Sequence, residues 1–301
     1  MALPVIPQHA LTSDQDLLRL YQRTERLWAE HLGEIEQLDV GVAVSNPQLP
    51  NVHDANRLLE ATLQPGQSPQ EAFDEVRRHF DRCGTRCWYW QMGVAAGVQA
   101  RIPATALESP GPHDEAAGAL PAYLAKRGYH RTTEDVMALT GRSGRADQDA
   151  RDDARDHGGI SILPARAAFR QARELAEEPD SWNPEPTLAD AGMLHLDDPR
   201  CDALLAMRNG RAVGRVTVFA VGEVGRIDQV YVSASARRQG IGRLLITRAL
   251  EICARSLFKH VMLSVDPSNA AAISLYNSFG FRRIGEQVNW RASVTRVSNP
   301  C

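Results

Sequence analysis

The feature that most constrains this chain is the run Arg237-Arg238-Gln239-Gly240-Ile241-Gly242-Arg243, placed directly before the helical pattern Leu244, Leu245, Ala249, Leu250, Ile252. A helix start carries unpaired backbone N–H groups and the positive end of the peptide dipoles, so it attracts an anion. Gly240 and Gly242 allow close backbone approach to that anion and permit positive φ. Arg237, Arg238 and Arg243 add countercharge. The stretch reads as a cradle for a pyrophosphate.

Spacing separates the phosphate-binding alternatives. A Walker loop requires Lys after its last glycine, and none follows here. A dinucleotide fingerprint needs its first glycine at the strand end and a third glycine three residues after the second. In this chain seven residues separate Val232 from Gly240, and Leu245 occupies the third position. The pattern that remains is [QR]-x-x-G-x-[GA], met by Arg237, Gly240 and Gly242 after an apolar strand from Arg226 to Val232. A second block follows, VMLSVDPSNAAAISLYNSFGF from Val261 to Phe281, which reads strand, Asn, helix, Tyr-x-x-x-Gly-Phe. On these two blocks, in this order, the chain resembles the GNAT acyltransferase superfamily.

That resemblance implies an acyl-CoA donor, acetyl-CoA or another, and assigns roles residue by residue. Backbone N–H groups from Arg238 through Gln239, Gly240, Ile241, Gly242 and Arg243 to Leu244 would hold the pyrophosphate, with the side chains of Arg237 and Arg243 assisting. The pantetheine arm would lie between Asp228–Val232 and Val261–Val265 and pair with the first of these strands, including Val230 and Val232. An N–H near Val230 would polarise the thioester carbonyl. Asn269 would reach the arm or the pyrophosphate, cap the following helix, or do both. Tyr276 matches the tyrosine that protonates the departing thiolate, a task suited to a phenol; the alternative is a Tyr packed with Ile273 and Phe279. Many members carry a Glu early in the strand before the cradle, where this chain has Arg226. Asp228, two residues on and on the same face, is the candidate base, and a salt bridge to Arg226 or Arg215 is its alternative role. His260 is a poorer candidate.

Length and composition frame the rest. At 301 residues, with 43% hydrophobic and 24% charged residues and a net charge of −3, the chain suits a two-domain globular protein and gives no sign of a nucleic-acid partner. No apolar run approaches the ~18 residues that would span a bilayer, and residues 1–10 lack a basic and apolar leader pattern; a cytoplasmic location is expected. The five cysteines are an odd, scattered set, which argues against a disulfide framework. Cys83-x-x-x-Cys87 has no second pair to complete a metal site, so no metal is expected.

An internal repeat organises the chain. LPAYLAKRGYHRTTEDVMAL and ISLYNSFGFRRIGEQVNW both run apolar helix, Gly-aromatic, basic pair, apolar strand. The first copy has LQPGQSPQEAF where the second has its cradle, with one glycine and no arginine; Ser68 and Pro69 read there as N-cap and first residue of a helix. The expected fold is α+β: two GNAT-like domains, each a mixed, mostly antiparallel sheet flanked by helices, the first copy degenerate. Expected boundaries are 1–140 for the degenerate domain, 141–159 for a charged linker and 160–301 for the active one. A helix is expected over 13–38, and Asn209-Gly210 signals a hairpin. From Glu174 to Asp202 the chain is acidic, which would suit a cationic acceptor if this stretch walls the pocket.

The expected activity is acetyl transfer to a small-molecule or peptide primary amine by direct attack in a ternary complex, in a monomer or homodimer. The alternative is a CoA-binding module that has lost turnover. The tandem layout also resembles that of mycothiol synthases, with no residue set that selects their substrate.

Overall fold

The computed structural model describes residues 12–93, 112–140, 159–178 and 186–292. Its elements in the first half of the chain are α1 (Asp14–Ala29), β1 (Glu34–Leu38), β2 (Gly41–Ser45), β3 (Arg57–Ala61), α2 (Pro69–Arg82), β4 (Tyr89–Met92), α3 (Pro112–Lys126) and β5 (Tyr129–Leu139). The second half adds β6 (Ile160–Pro164), α4 (Phe169–Ala176), α5 (Pro186–Ala191), β7 (Cys201–Arg208), β8 (Arg211–Val221), β9 (Val224–Val232), α6 (Ile241–Arg255), β10 (His260–Val265), α7 (Ala270–Phe279) and β11 (Phe281–Ala292). The class is the mixed α+β one expected.

Two compact units interleave along the chain: residues up to 31 with 134–286, and 32–133 with 287 onward. The boundaries expected near 140 and 160 do not coincide with them. The reason is strand pairing. β5 follows the last helix of the first repeat, yet its second half pairs antiparallel with β10, Val136 opposite Ser264. β11 follows the last helix of the second repeat, yet its end pairs antiparallel with β4, Trp290 opposite Trp90. Residues 141–158 of the expected linker lie outside the described residues.

In the unit that holds the cradle sequence, β6, β7, β8 and β9 form an antiparallel series, and β9 then pairs parallel with β10 across the α6 crossover. Asn209 and Gly210 both have positive φ, 50° and 78°, the geometry a two-residue hairpin demands. Helix α6 packs Leu245, Ile246, Ala249 and Cys253 on Val216, Val218, Ile227 and Leu263 of the sheet. Two glycines let it come close: a Cβ on Gly214 would meet Leu245 and Ile241 at 3.0 and 3.2 Å, and one on Gly225 would meet Phe258 and Cys253 at 2.6 and 2.9 Å. Cutting Leu245 to Ala should cost about 2–5 kcal/mol in such a site. On the opposite face α1 lays Leu17 and Tyr21 against Val136, Val224, Met262 and Ile284. Helix α1 begins at Ser13, whose hydroxyl accepts the Asp16 N–H.

The expected helix over 13–38 stops at Ala29, and residues 34–38 form β1 instead. Gly33 sets that change of direction, because a Cβ there would lie 2.6 Å from the Ser45 carbonyl oxygen. In the unit of the first repeat β1, β2 and β3 form an antiparallel series, and β3 pairs parallel with β4 across α2. This repeats the order β8, β9, α6, β10. Register aligns the two copies: Arg57, Leu58 and Leu59 face Val44, Ala43 and Val42, as Arg226, Ile227 and Asp228 face Phe219, Val218 and Thr217. The next residues, Glu60 and Gln229, have φ of 56° and 50°, a matching kink in both strands.

Candidate functional site

The cradle residues take up the geometry that anion binding requires. Gly240 is the N-cap of α6 with φ 81°, and it offers no side chain to the amides that follow. The first N–H groups of a helix have no partner inside it, so those of Ile241 and Gly242 depend on something outside the helix. Arg238 also has a left-handed φ, 63°, which folds the approach to the helix into a compact loop. Gly242 provides a test of fit for a phosphate. A Cβ there would make only ordinary contacts, 3.4 Å to Leu275 and 3.9 Å to Val232, so packing does not require glycine. Within a helix glycine costs roughly 1 kcal/mol relative to Ala. Its use fits a ligand backbone approaching that side of the helix.

The side chains around the cradle are arranged less simply. Arg237 donates from Nε to the Val232 carbonyl at 3.0 Å, which braces the loop on β9. Gln239 is held on both sides, accepting from Arg208 at 2.7 Å and donating to the Ser235 carbonyl at 3.2 Å. Arg243 reaches α7, donating to Ser278 Oγ at 3.1 Å and lying over the Phe279 ring. Arg238 is exposed.

Below the cradle the two parallel strands part. β9 and β10 pair only from Val224–His260 to Arg226–Met262. Beyond that point the register with β8 also slips, Thr217 facing Asp228 but Arg215 facing Tyr231. Gln229 and Val230 thus fall where neither neighbour takes them in register, and the N–H of Gln229 is taken by Asp228 Oδ1 at 2.7 Å. Val230 and Val232 are half-buried and pack against the α6 core. Asn269 caps α7, its Oδ1 accepting the Ala272 N–H at 3.1 Å.

Asp228 meets Arg226 at 2.7 Å through Oδ2, so the carboxylate proposed as base is held at both oxygens. Arg226 is buried and also meets Glu25 of α1 at 2.5 Å and the Thr24 hydroxyl at 3.2 Å. Burial works against its charge, but Glu25, Tyr21 and Asp228 together hold its pKa well above the ordinary arginine value. Arg215 donates to His195 Nε2 at 2.7 Å and to the Gly192 carbonyl at 3.3 Å. Tyr276 is 5% exposed and sets its ring 6.0 Å from that of Phe281, edge to face. Burial, with the Asp228 charge second, raises its pKa well above that of a free phenol. Such a group keeps its proton in the resting site.

The acidic stretch is largely paired within itself. Arg173 meets Asp190 at 2.7 Å and Glu177 at 2.9 Å, and Arg200 meets Asp198 at 2.7 Å. Glu178 instead accepts from the Tyr231 and Ser233 hydroxyls at 2.9 and 3.0 Å, which ties the stretch to β9. Asp180 and Glu185 lie outside the described residues. Cys83, Cys87, Cys201 and Cys253 are free thiols, and Cys301 lies outside the described residues. Among the described residues no cluster of His, Cys, Asp and Glu is placed to hold a metal, and no helix is long and apolar enough to cross a membrane.

Sequence reasoning foresaw the helix of α1 but missed its part in the site. Glu25, Thr24 and Tyr21 carry no motif, and only the tertiary packing brings them to Arg226. Glu134 of β5, which accepts from Ser264 Oγ at 2.8 Å, was missed for the same reason.

Comparison with known proteins agrees with this geometry. Residues 167–281 match the acetyltransferase (GNAT) family. A mycothiol acetyltransferase from Thermobispora bispora is 36% identical over 132 residues, 40% of this chain and 43% of that protein. A putative [ribosomal protein bS18]-alanine N-acetyltransferase from Bacillus subtilis is 26% identical over 95 residues, 32% of this chain and 63% of that protein. The chain thus spans less than two thirds of the length of these relatives. Among solved structures, a GCN5-related N-acetyltransferase from Kribbella flavida superposes with a TM-score of 0.54 at 15% identity, covering 90% of this chain and 95% of that one, which shows a shared fold. The open helix start and the parted strands fall on one segment, within the residues 167–281 that match the acetyltransferase (GNAT) family.

Proposed function

We propose that the chain transfers an acetyl group from acetyl-CoA to a primary amine by direct attack within a ternary complex. The observation that carries this is the start of α6, left without a side-chain cap by left-handed Gly240 beside the parting of β9 and β10. The amides of residues 238–244 would hold the pyrophosphate. Arg237 braces their loop, and Arg238 is the exposed cation beside it. The arm would pair along Val230 and Val232, with the Val230 N–H as oxyanion donor. Holding donor and amine together supplies much of the rate. Tyr276 would protonate the departing thiolate, and Asp228 would accept the proton of the amine. Asn269 acts here by fixing the start of α7, the helix that presents Tyr276.

The test uses acetyl-CoA with four amines, spermidine, lysine, glucosamine and an alanine-terminated peptide, following release of free thiol. Turnover with at least one is expected. Tyr276→Phe should lower kcat about 100–10,000-fold, the range of a lost proton donor, with acetyl-CoA affinity by calorimetry unchanged; full activity would remove Tyr276 from the mechanism. A second reading, a CoA-responsive binding module, draws on the engagement of both Asp228 oxygens. Tight acetyl-CoA binding with no turnover of any amine would favour it.

A further inference from the structure

Arg226 divides its charge between two carboxylates. One terminal nitrogen meets Glu25 at 2.5 Å and the other meets Asp228 at 2.7 Å. Among the described residues these are its two ion pairs. Glu25 is itself buried on α1 and accepts the Tyr21 hydroxyl at 3.2 Å, while the guanidinium lies over the Tyr21 ring. When one cation serves two anions, each anion weakens its effect on the other.

The first repeat supplies a control within the same chain. Arg57-Leu58-Leu59-Glu60 occupies the strand position of Arg226-Ile227-Asp228-Gln229, Arg57 is buried, and Glu60 has the same left-handed kink as Gln229. The kink therefore forms with Leu59 where Asp228 would be, so a carboxylate is not needed to build it. The arginine is common to both copies. The carboxylate two residues on in the strand belongs to the copy whose helix start is open, whereas Arg57 meets Asp54 from outside the strand at 3.9 Å.

We propose that Glu25 is a positioning residue for the acetyl transfer: by holding one end of Arg226 it leaves Asp228, beside the parted strands, able to take the proton of the attacking amine. This rests on the acetyl-transfer reading. In the step concerned the amine nitrogen bonds to the thioester carbon and the C–S bond breaks. One proton passes from the amine to Asp228, directly or through water, and the thiolate takes the proton of Tyr276. The other titratable and charged groups facing this assembly are Tyr276 of α7, Arg215 of β8 and Cys201 of β7, near Asp228, and Tyr21 of α1, which also senses Glu134 of β5. Glu25 alone among them shares a guanidinium with Asp228.

The experiment is a carboxyl-carbon NMR titration of the full chain without donor, the Asp228 resonance being identified by its loss in Asp228→Asn. In Glu25→Gln the Asp228 midpoint should move about one pH unit lower, the scale of removing a neighbouring like charge. The acidic limb of the kcat/KM profile, measured with acetyl-CoA and the fastest of the four amines, should move with it, and acetyl-CoA affinity should hold. Glu25→Asp, which draws back from Arg226 by a methylene, should give a smaller shift in the same direction, and it carries the test if the Gln variant does not fold. An unmoved Asp228 midpoint, with activity lowered equally at every pH, would make Glu25 merely structural and overturn the proposal. Failure of the wild type to bind acetyl-CoA overturns the acetyl-transfer reading and the role of Glu25 with it; it is distinguishable because the titration is read without donor.

Discussion

The starts of α6 and α2 occupy the same place in the two repeats, each leading the crossover between a parallel strand pair, and they are finished in opposite ways. At α2, Ser68 accepts the Glu71 N–H while the Glu71 carboxylate accepts the Ser68 N–H, and Pro69 removes a further donor. The helix satisfies itself and sets a carboxylate at its own positive end. At α6, Gly240 leaves the corresponding donors to an outside partner and the neighbouring charges are arginines. The difference teaches that a shared fold does not transmit an anion site. The two helix starts differ in two respects at once, how the first turn is finished and which charges stand beside it.

The largest expected effect breaks the open end. Gly240→Asp with Gly242→Asp places carboxylates where the pyrophosphate would lie and burdens a left-handed residue with a side chain, so acetyl-CoA affinity should fall at least about 100-fold. Calorimetry alongside circular dichroism checks that binding goes while the fold remains; unchanged affinity would remove the cofactor assignment. A smaller effect opens the closed end. Ser68→Ala with Glu71→Gln should lower stability in urea by about 1 kcal/mol without conferring acetyl-CoA binding on the first repeat. A gain of binding would mean that capping alone separates the copies.

The smallest effect sharpens the contrast through acid. His195 lies in the unit with the open helix, where burial, then the charges of Arg215 and His31, lower its pKa from 6.5 to about 2. The unfolded chain therefore binds a proton that the folded chain refuses, and the stability present above pH ~6.5 is lost progressively as the pH falls toward 2. His195→Gln should flatten that decline. Hydrogen exchange at pH 7 and pH 5 should show the flattening in residues 186–286 and leave 32–93 unaffected.

Legibility followed the range of the physics. The cradle could be read because a helix start, its glycines and its arginines are adjacent in sequence, and the hairpin at Asn209-Gly210 for the same reason. β1 and β3 were not recognised: EIEQL is mostly exposed, and RLLEA is almost wholly buried, so neither shows the alternation that marks a half-buried strand. The surroundings of Asp228 could be read only in part. Arg226 was a foreseeable partner two residues away, but Glu25 arrives on a helix about 200 residues earlier in the chain. The repeat was visible, but the exchange of its final strands was not, because β5 and β11 look alike to any local pattern.

That exchange has a consequence for how the chain can be cut. A break anywhere in 141–158 parts α1 from strands it covers, and it deprives the β10 edge of its β5 partner and the β4 edge of its β11 partner. Two fragments made this way would each present an unfinished sheet edge and should aggregate when expressed singly. Produced in the same cell, each holds the strand the other lacks, which makes this segment a natural place to divide the protein into a complementing pair.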